Sequence, residues 1–373
     1  MNILIPAWSF YPAQEGGPSN ALYWLASGLA KVGHNVTVVT TNRFICSKSI
    51  EFNKWYRLND FNVIYCSIDK YKSSLISKLD ENDLILASGV CQMSQFLFNL
   101  RALSNNKLLI ISPRGELFDS AIYHKGMFYG WLKILMFSIM RLAYGRKVLY
   151  HVTSKEESLA LLKVMGKKLR FINLPNYMIL PDVIPNDYGE TQQEYLLYVG
   201  RINRIKNIHI LLHALSKSKS FKAQKYKLYI VGQTVGQYYN ELLQLIADLD
   251  LSDYVEFKGH IEGAEKNVLY ARAKCTLLIS QSENFGNVVV ESLTQGTPVI
   301  ASEGTPWRSL SEKSAGFWIK ADPDVVAKTI DNILNLTEDS YMQFRKNAYL
   351  LSKEFDVYEN IEKWDYVLSN LKK

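Results

Sequence analysis

The stretch "CTLLISQSENFGNVVVESLTQGTPVIAS", residues 275–302, reads as strand, loop, helix and strand in one short run. "CTLLISQS" is an apolar run bounded by polar residues, "NVVVESLTQG" has helical spacing and stops near Gly296, and "TPVIAS" is apolar again. Two short buried strands joined through a helix are the unit of a parallel sheet, because parallel neighbours need a long crossover. Residues 283–287 then lie in the loop at the carboxyl end of the first strand, where open α/β sheets bind their ligands.

The same rhythm extends outward. In the second half "YLLYVGR" (195–201), "KLYIVGQ" (227–233), "YVEFKGH" (254–260) and "GFWIK" (316–320) read as further strands separated by amphipathic segments. In the first half "NILIPAW" (2–8), a helix near 19–32, "NVTVVTT", "NVIYCSI", "DLILAS", "KLLIISP", "VLYHVTS" and "RFINLP" repeat the pattern. Between them, the polar, proline-bearing "LPDVIPNDYGETQQE" (180–194) has linker composition. A chain of 373 residues exceeds one typical core, and its 48% hydrophobic content fills two. The expected architecture is α/β: two Rossmann-like, doubly wound parallel-sheet domains, 1–175 and 190–349, facing a central cleft. The tail 350–373, with aromatic anchors at helical spacing, is expected to pack back on the first domain.

Composition narrows the setting. Cys46, Cys66, Cys91 and Cys275 are scattered without metal-ligand or disulfide-framework spacing, which fits a reducing cytoplasm. The N-terminus lacks the basic region and continuous apolar core of a signal peptide, and no apolar run reaches the ~20 residues that span a bilayer. From Ser120 to Lys155 there are six cations (Lys125, Lys133, Arg141, Arg146, Lys147, Lys155) and no acidic residue, with Tyr123, Phe128, Tyr129, Trp131 and Phe137 interleaved. This segment reads either as an anionic-membrane surface or as a half-buried helix with a solvated basic face. No nucleic-acid motif accompanies the charge.

Three sites carry candidate chemistry. In "YLLYVGRINRIKN" a strand ends at Gly200, where backbone can approach a phosphate, and the cations of Arg201 and Lys206 can neutralise one. In "ENFGNVVVES" the amides of Gly286, Asn287 and Val288 open a helix whose positive end favours an anion, while Glu291 can accept ribose hydroxyls. The bland alternative is that Glu283 and Glu291 only complement the helix dipole. Gly16 and Gly17, between the first strand and first helix, permit close backbone approach without forming a G-x-G-x-x-G fingerprint.

Taken together, the Gly-Gly loop, "VGRINRIKN", "EFKGHI", "ENFGNVVVES" and "GTPVIASEGT" resemble, in order and spacing, the retaining glycosyltransferases of the GT-B type, in particular family four type enzymes that build bacterial surface polysaccharide and O-antigen. The likeness covers nearly the whole chain and is most specific over 195–305. It implies an NDP-sugar donor, with Arg201 and Lys206 on the diphosphate and Glu283 on donor-sugar hydroxyls. It further implies Phe285, Gly286, Asn287 and Val288 as the loop facing sugar and phosphate, Glu291 on the ribose, Gly16, Gly17 and Gly200 near the diphosphate, and His260 and Ile261 at the base. Many relatives place a histidine after the fourth strand of the first domain. Here "ISPRGEL" stands in that place, making Arg114 the candidate sugar contact. The implied acceptor is a lipid-linked saccharide at the inner face of the cytoplasmic membrane.

Neither cofactor nor metal is expected. The D-x-D triplets at 248–250 and 322–324 read as helix punctuation, and His209 and His213 lack a third ligand. Two other classes stay open: a same-fold epimerase or hydrolase acting on a sugar nucleotide, and a non-catalytic sugar-nucleotide binding protein.

Overall fold

Strand alternation decides how each sheet is buried. The computed structural model describes residues 1–13, 17–45, 50–184 and 195–371. In β1 (Asn2–Ala7), Ile3 and Ile5 enter one apolar cluster and Leu4 the other, as the two-residue period requires of a sheet covered on both faces. The first domain continues with β2 (Asn35–Thr41), β3 (Trp55–Leu58), β4 (Phe61–Cys66), β5 (Leu84–Ser88), β6 (Leu108–Ser112), β7 (Val148–Val152) and β8 (Arg170–Asn173). The eight strands lie in the order β3-β4-β2-β1-β5-β6-β7-β8. All neighbours are parallel except β3, which turns back on β4 through Asn59 and Asp60. That edge strand departs from the expected all-parallel sheet. Asn59 adopts a φ of 48°, the left-handed conformation that a two-residue hairpin turn needs.

Among the described residues the second domain has six parallel strands: β9 (Tyr195–Val199), β10 (Lys227–Val231), β11 (Val255–Gly259), β12 (Cys275–Leu278), β13 (Val299–Ser302) and β14 (Gly316–Ile319). Their order is β11-β10-β9-β12-β13-β14. Leu196 and Tyr198 of β9 face one cluster, and Tyr195, Leu197 and Val199 the other. Strand order reverses at β9/β12, and in the first domain at β1/β5, so each sheet has a switch point at its carboxyl edge.

The chain divides into residues 1–179 with 356–373, and residues 180–355. The expected boundaries at 175, 190 and 350 therefore move: only the part of the tail from 356 joins the first domain. There Val357, Ile361, Trp364 and Leu368 complete the cluster under the helix Gly17–Lys31. Gly28 is glycine because a Cβ would sit 2.6 Å from the Val357 side chain. Within the linker stretch, residues 185–194 lie outside the described residues, while Gln295 holds the preceding piece by donating to the Asp182 carbonyl at 2.8 Å and accepting from Ile184 N–H at 2.9 Å. No helix among the described residues is long and apolar enough to cross a membrane.

Candidate active site

The loops after β9 and β12 meet at the switch point of the second domain because their strands are neighbours. After β9 the chain turns at Gly200, with a φ of 155°, over the Tyr198 hydroxyl, which donates to the Arg201 carbonyl at 2.9 Å. Burial pushes the Tyr198 phenol well above its ordinary pKa, so it remains a donor. A Cβ on Gly232, at the end of β10, would lie 2.2 Å from the Gly200 carbonyl, so two strand ends approach each other through glycine. The Arg201 side chain is exposed. Lys206 closes the short helix Arg204–Lys206, and Asn207, with a φ of 53°, redirects the chain into the helix Ile208–Lys217.

Across from it, Glu283 is tied down by its own loop: its N–H donates to the Gly304 carbonyl at 2.9 Å, and its carboxylate accepts from Ser280 Oγ at 3.1 Å. Lys206 Nζ donates to the same carboxylate. The two side chains are only 15% and 14% exposed, which excludes the solvent-facing alternative for Glu283. The two residues expected to hold separate parts of a ligand are thus partnered with each other. Gly304 permits this approach, because a Cβ there would lie 2.3 Å from the Gln281 carbonyl. The same loops border a cavity of about 470 Å³ lined by Arg204, Asn207, Ser280, Gln281 and Gly304.

The helix Asn287–Thr294 follows, with Gly286 at its N-cap in the left-handed region at φ 84°. Its N-cap residue has no side chain and its first turn holds no acid, so the positive end of the helix dipole meets no carboxylate of its own first turn. The Phe285 side chain is 5% exposed and packed against Trp307 and Phe355, and its carbonyl accepts from Trp307 Nε1. The ring anchors the loop beneath the helix. Glu291, the fifth residue of the helix, has an 11% exposed side chain that accepts from Lys266 Nζ at 3.0 Å and from the Tyr270 hydroxyl at 2.9 Å. Dipole compensation at the surface does not describe it either.

The remaining expected residues scatter more widely. His260 is exposed and paired with Glu262 at 2.7 Å, and Ile261 packs beneath β9 and β10 with Tyr229 and Val288. Gly17 begins the first helix, and Gly16 lies outside the described residues. Arg114 sits within the first domain. Instead of presenting its guanidinium outward, it donates to Asn176 Oδ1 at 2.6 Å within the first domain and borders a small cavity with His151 and Trp364. Its φ of 56° turns the chain so that the side chain points inward, and burial lowers its pKa to about 10.

The D-x-D segments do punctuate helices. Asp248 ends Gln237–Asp248, and the Asp322 carboxylate accepts from Asp324 N–H at 3.0 Å and Val325 N–H at 3.1 Å. His209 bonds Tyr238 at 2.8 Å, and burial lowers its pKa. Among the described residues no three His, Cys, Asp or Glu side chains converge. Sequence reading missed Ser280, Lys266, Tyr270 and Trp307. The only available signal was Lys266 and Tyr270 at four-residue spacing on one helix.

Residues 182–351 match the family model described as glycosyl transferases group 1. Over 166 residues the chain is 31% identical to the O-antigen chain mannosyltransferase RfbU of Salmonella typhimurium, covering 44% of each chain. Over 210 residues it is 25% identical to a Campylobacter jejuni enzyme named as an N-acetylgalactosaminyltransferase acting on an undecaprenol-linked saccharide, covering 54% of this chain and 56% of that one. The matched part thus spans about half of these curated relatives or less. Anabaena HepE, solved with UDP and glucose, superposes with a TM-score of 0.73 at 20% identity, covering 99% of this chain and 100% of that chain. WaaG, described as a glycosyltransferase of lipopolysaccharide biosynthesis, superposes at 0.66 with 15% identity, covering 97% of this chain and 98% of its own. At such identities the likeness is one of fold. Nearly all of the second domain thus matches the glycosyl transferases group 1 model, and the chain as a whole has the GT-B glycosyltransferase fold.

Proposed function

We propose that the chain transfers a hexose-type sugar from an NDP-sugar to a hydroxyl of a lipid-linked saccharide in cell-surface polysaccharide biosynthesis, with retention and without a metal or cofactor. The observation that carries this reading is the second domain's switch point. It gathers Lys206 on Glu283, the acid-free first turn of Asn287–Thr294 and the held carboxylate of Glu291. When a donor binds, its diphosphate takes Lys206 from Glu283, which then accepts from the sugar hydroxyls. Arg201, Lys206 and the amides of 286–288 stabilise the departing diphosphate, the main barrier to transfer. The bond between the anomeric carbon and the phosphate oxygen breaks. The acceptor oxygen bonds that carbon from the same face, and its proton passes to a phosphate oxygen.

The acceptor class follows from the relatives, named for O-antigen and undecaprenol-linked substrates. The first domain takes the acceptor at the cytoplasmic face of a membrane, and the segment 120–155 supplies the contact. On its helix Met127–Tyr144, Phe128, Trp131, Leu135 and Leu142 are 72%, 68%, 59% and 79% exposed, an apolar stripe beside Lys125, Arg141, Arg146 and Lys147. Incubating candidate α-linked NDP-hexoses with a polyprenyl-diphosphate saccharide in EDTA tests the chemistry. An α-linked product by NMR is expected. A β-linked product, or loss of turnover on chelation, would rule the mechanism out.

A further inference from the structure

The helix Gly263–Arg272 carries two residues for which the reaction above has no use, Lys266 and Tyr270. Both end on Glu291, the ammonium on Oε1 and the phenol on Oε2. Tyr270 is 0% exposed, so it reaches nothing in solution and acts only through the carboxylate. Burial and the neighbouring Glu291 push its phenol well above the ordinary pKa, which keeps it a proton donor. The two helices are also fastened at their far ends: Thr297 Oγ1 donates to the Tyr270 carbonyl at 2.6 Å, and Ser292 Oγ donates to the Thr297 carbonyl at 3.0 Å. Glu291 is therefore held through both oxygens by a rigid neighbour. A carboxylate offers about four acceptor positions, so each oxygen keeps one for a ligand.

We propose that Lys266 and Tyr270 are positioning residues that lock Glu291 in the orientation that accepts both hydroxyls of a ribose cis-diol, making the site selective for ribonucleoside over 2′-deoxyribonucleoside diphosphates. The inference rests on Glu291 as the ribose acceptor. A carboxylate free to rotate re-aims at whichever hydroxyl remains. One fixed at both oxygens loses a bond outright when a hydroxyl is missing and cannot recover it. Loosening the lock should therefore erode discrimination, not simply lower affinity.

The test is calorimetric binding of UDP, GDP and their 2′-deoxy counterparts to the parent, Tyr270→Phe, Lys266→Met and Lys266→Arg. The parent is expected to favour the ribonucleotide about tenfold, the worth of roughly one hydrogen bond. Tyr270→Phe and Lys266→Met should narrow that ratio to about threefold or less, and Lys266→Arg should keep it. Lys266→Met leaves a buried carboxylate without its cation. If that variant does not fold, Tyr270→Phe, which keeps the ring, decides. An unchanged ratio in Tyr270→Phe, or a parent that binds nucleotide without preferring ribose, overturns the inference alone. A parent that binds neither UDP nor GDP overturns it together with the Glu291 ribose reading on which it rests.

Discussion

At the scale of single residues, His151 illustrates a role set wholly by surroundings. Its Nδ1 accepts from Ser112 Oγ at 2.7 Å, its Nε2 donates to the Leu174 carbonyl at 2.9 Å, and its ring meets Trp364 at 4.6 Å. Burial, and secondarily the Arg114 charge, lower its pKa to about 3. Unfolded, the same imidazole titrates at about 6.5, so between these values the unfolded chain binds the proton and the native one does not. The stability tied to neutral His151 is therefore complete above the unfolded pKa and is lost as pH falls. Urea unfolding at pH 7.5 and 5 should show the first domain losing about 2 kcal/mol more in the parent than in His151→Gln. Equal losses would contradict the assignment. Legibility at this scale follows position in the chain. Glu283, Lys206 and Glu291 could be picked out as candidates because all three follow closely on a strand end, in the loop or the helix that succeeds it. The burial of Phe285, the inward turn of Arg114 and the grip of Lys266 and Tyr270 on Glu291 depend on contacts across space, which no spacing encodes.

Elements were legible where periodicity is strong and ambiguous where a helix is apolar nearly all round. In the helix Met127–Tyr144, Gly130, Phe137, Met140 and Tyr144 face inward, and a Cβ on Gly130 would lie 2.1 Å from the Tyr123 ring. Phe137 thus belongs to the core rather than to the exposed stripe, and Lys133 is half-buried, donating to the Ala121 carbonyl at 2.7 Å. Composition alone groups both with the exposed residues of the segment. The surface consists of Phe128, Trp131, Leu132, Leu135, Ile139 and Leu142, which recur at helical spacing. Burying each such side chain is worth about 1.5–3 kcal/mol. The double substitution Trp131→Asp/Leu135→Asp should therefore reduce co-sedimentation with phosphatidylglycerol vesicles more than about tenfold, with donor binding retained. Undiminished sedimentation would remove the helix from the account. The hairpin of β3 escaped notice because it is only four residues long and its turn signal, Asn59-Asp60, is weaker than Asn-Gly.

For the whole molecule, the alternation of strands and helices made two doubly wound sheets legible, while the strand order within each sheet was not. The order β10-β9-β12 brings Lys206 to Glu283 across 77 residues of sequence, and only the folded topology shows that pair. The return of the tail was signalled by its aromatic anchors, yet its starting point at residue 356 depends on how Val357 and Trp364 fill the first core. The proposed chemistry depends on this switch point binding a nucleoside diphosphate through the protein's own cations. Calorimetric titration of UDP, GDP, ADP and CMP, each with and without EDTA, against the parent and Lys206→Ala tests it most directly. EDTA-insensitive binding of one nucleoside diphosphate is expected, weakened about tenfold or more in Lys206→Ala through loss of a charge-assisted contact. Binding that needs a divalent cation, binding indifferent to Lys206, or no binding of any of the four would contradict it.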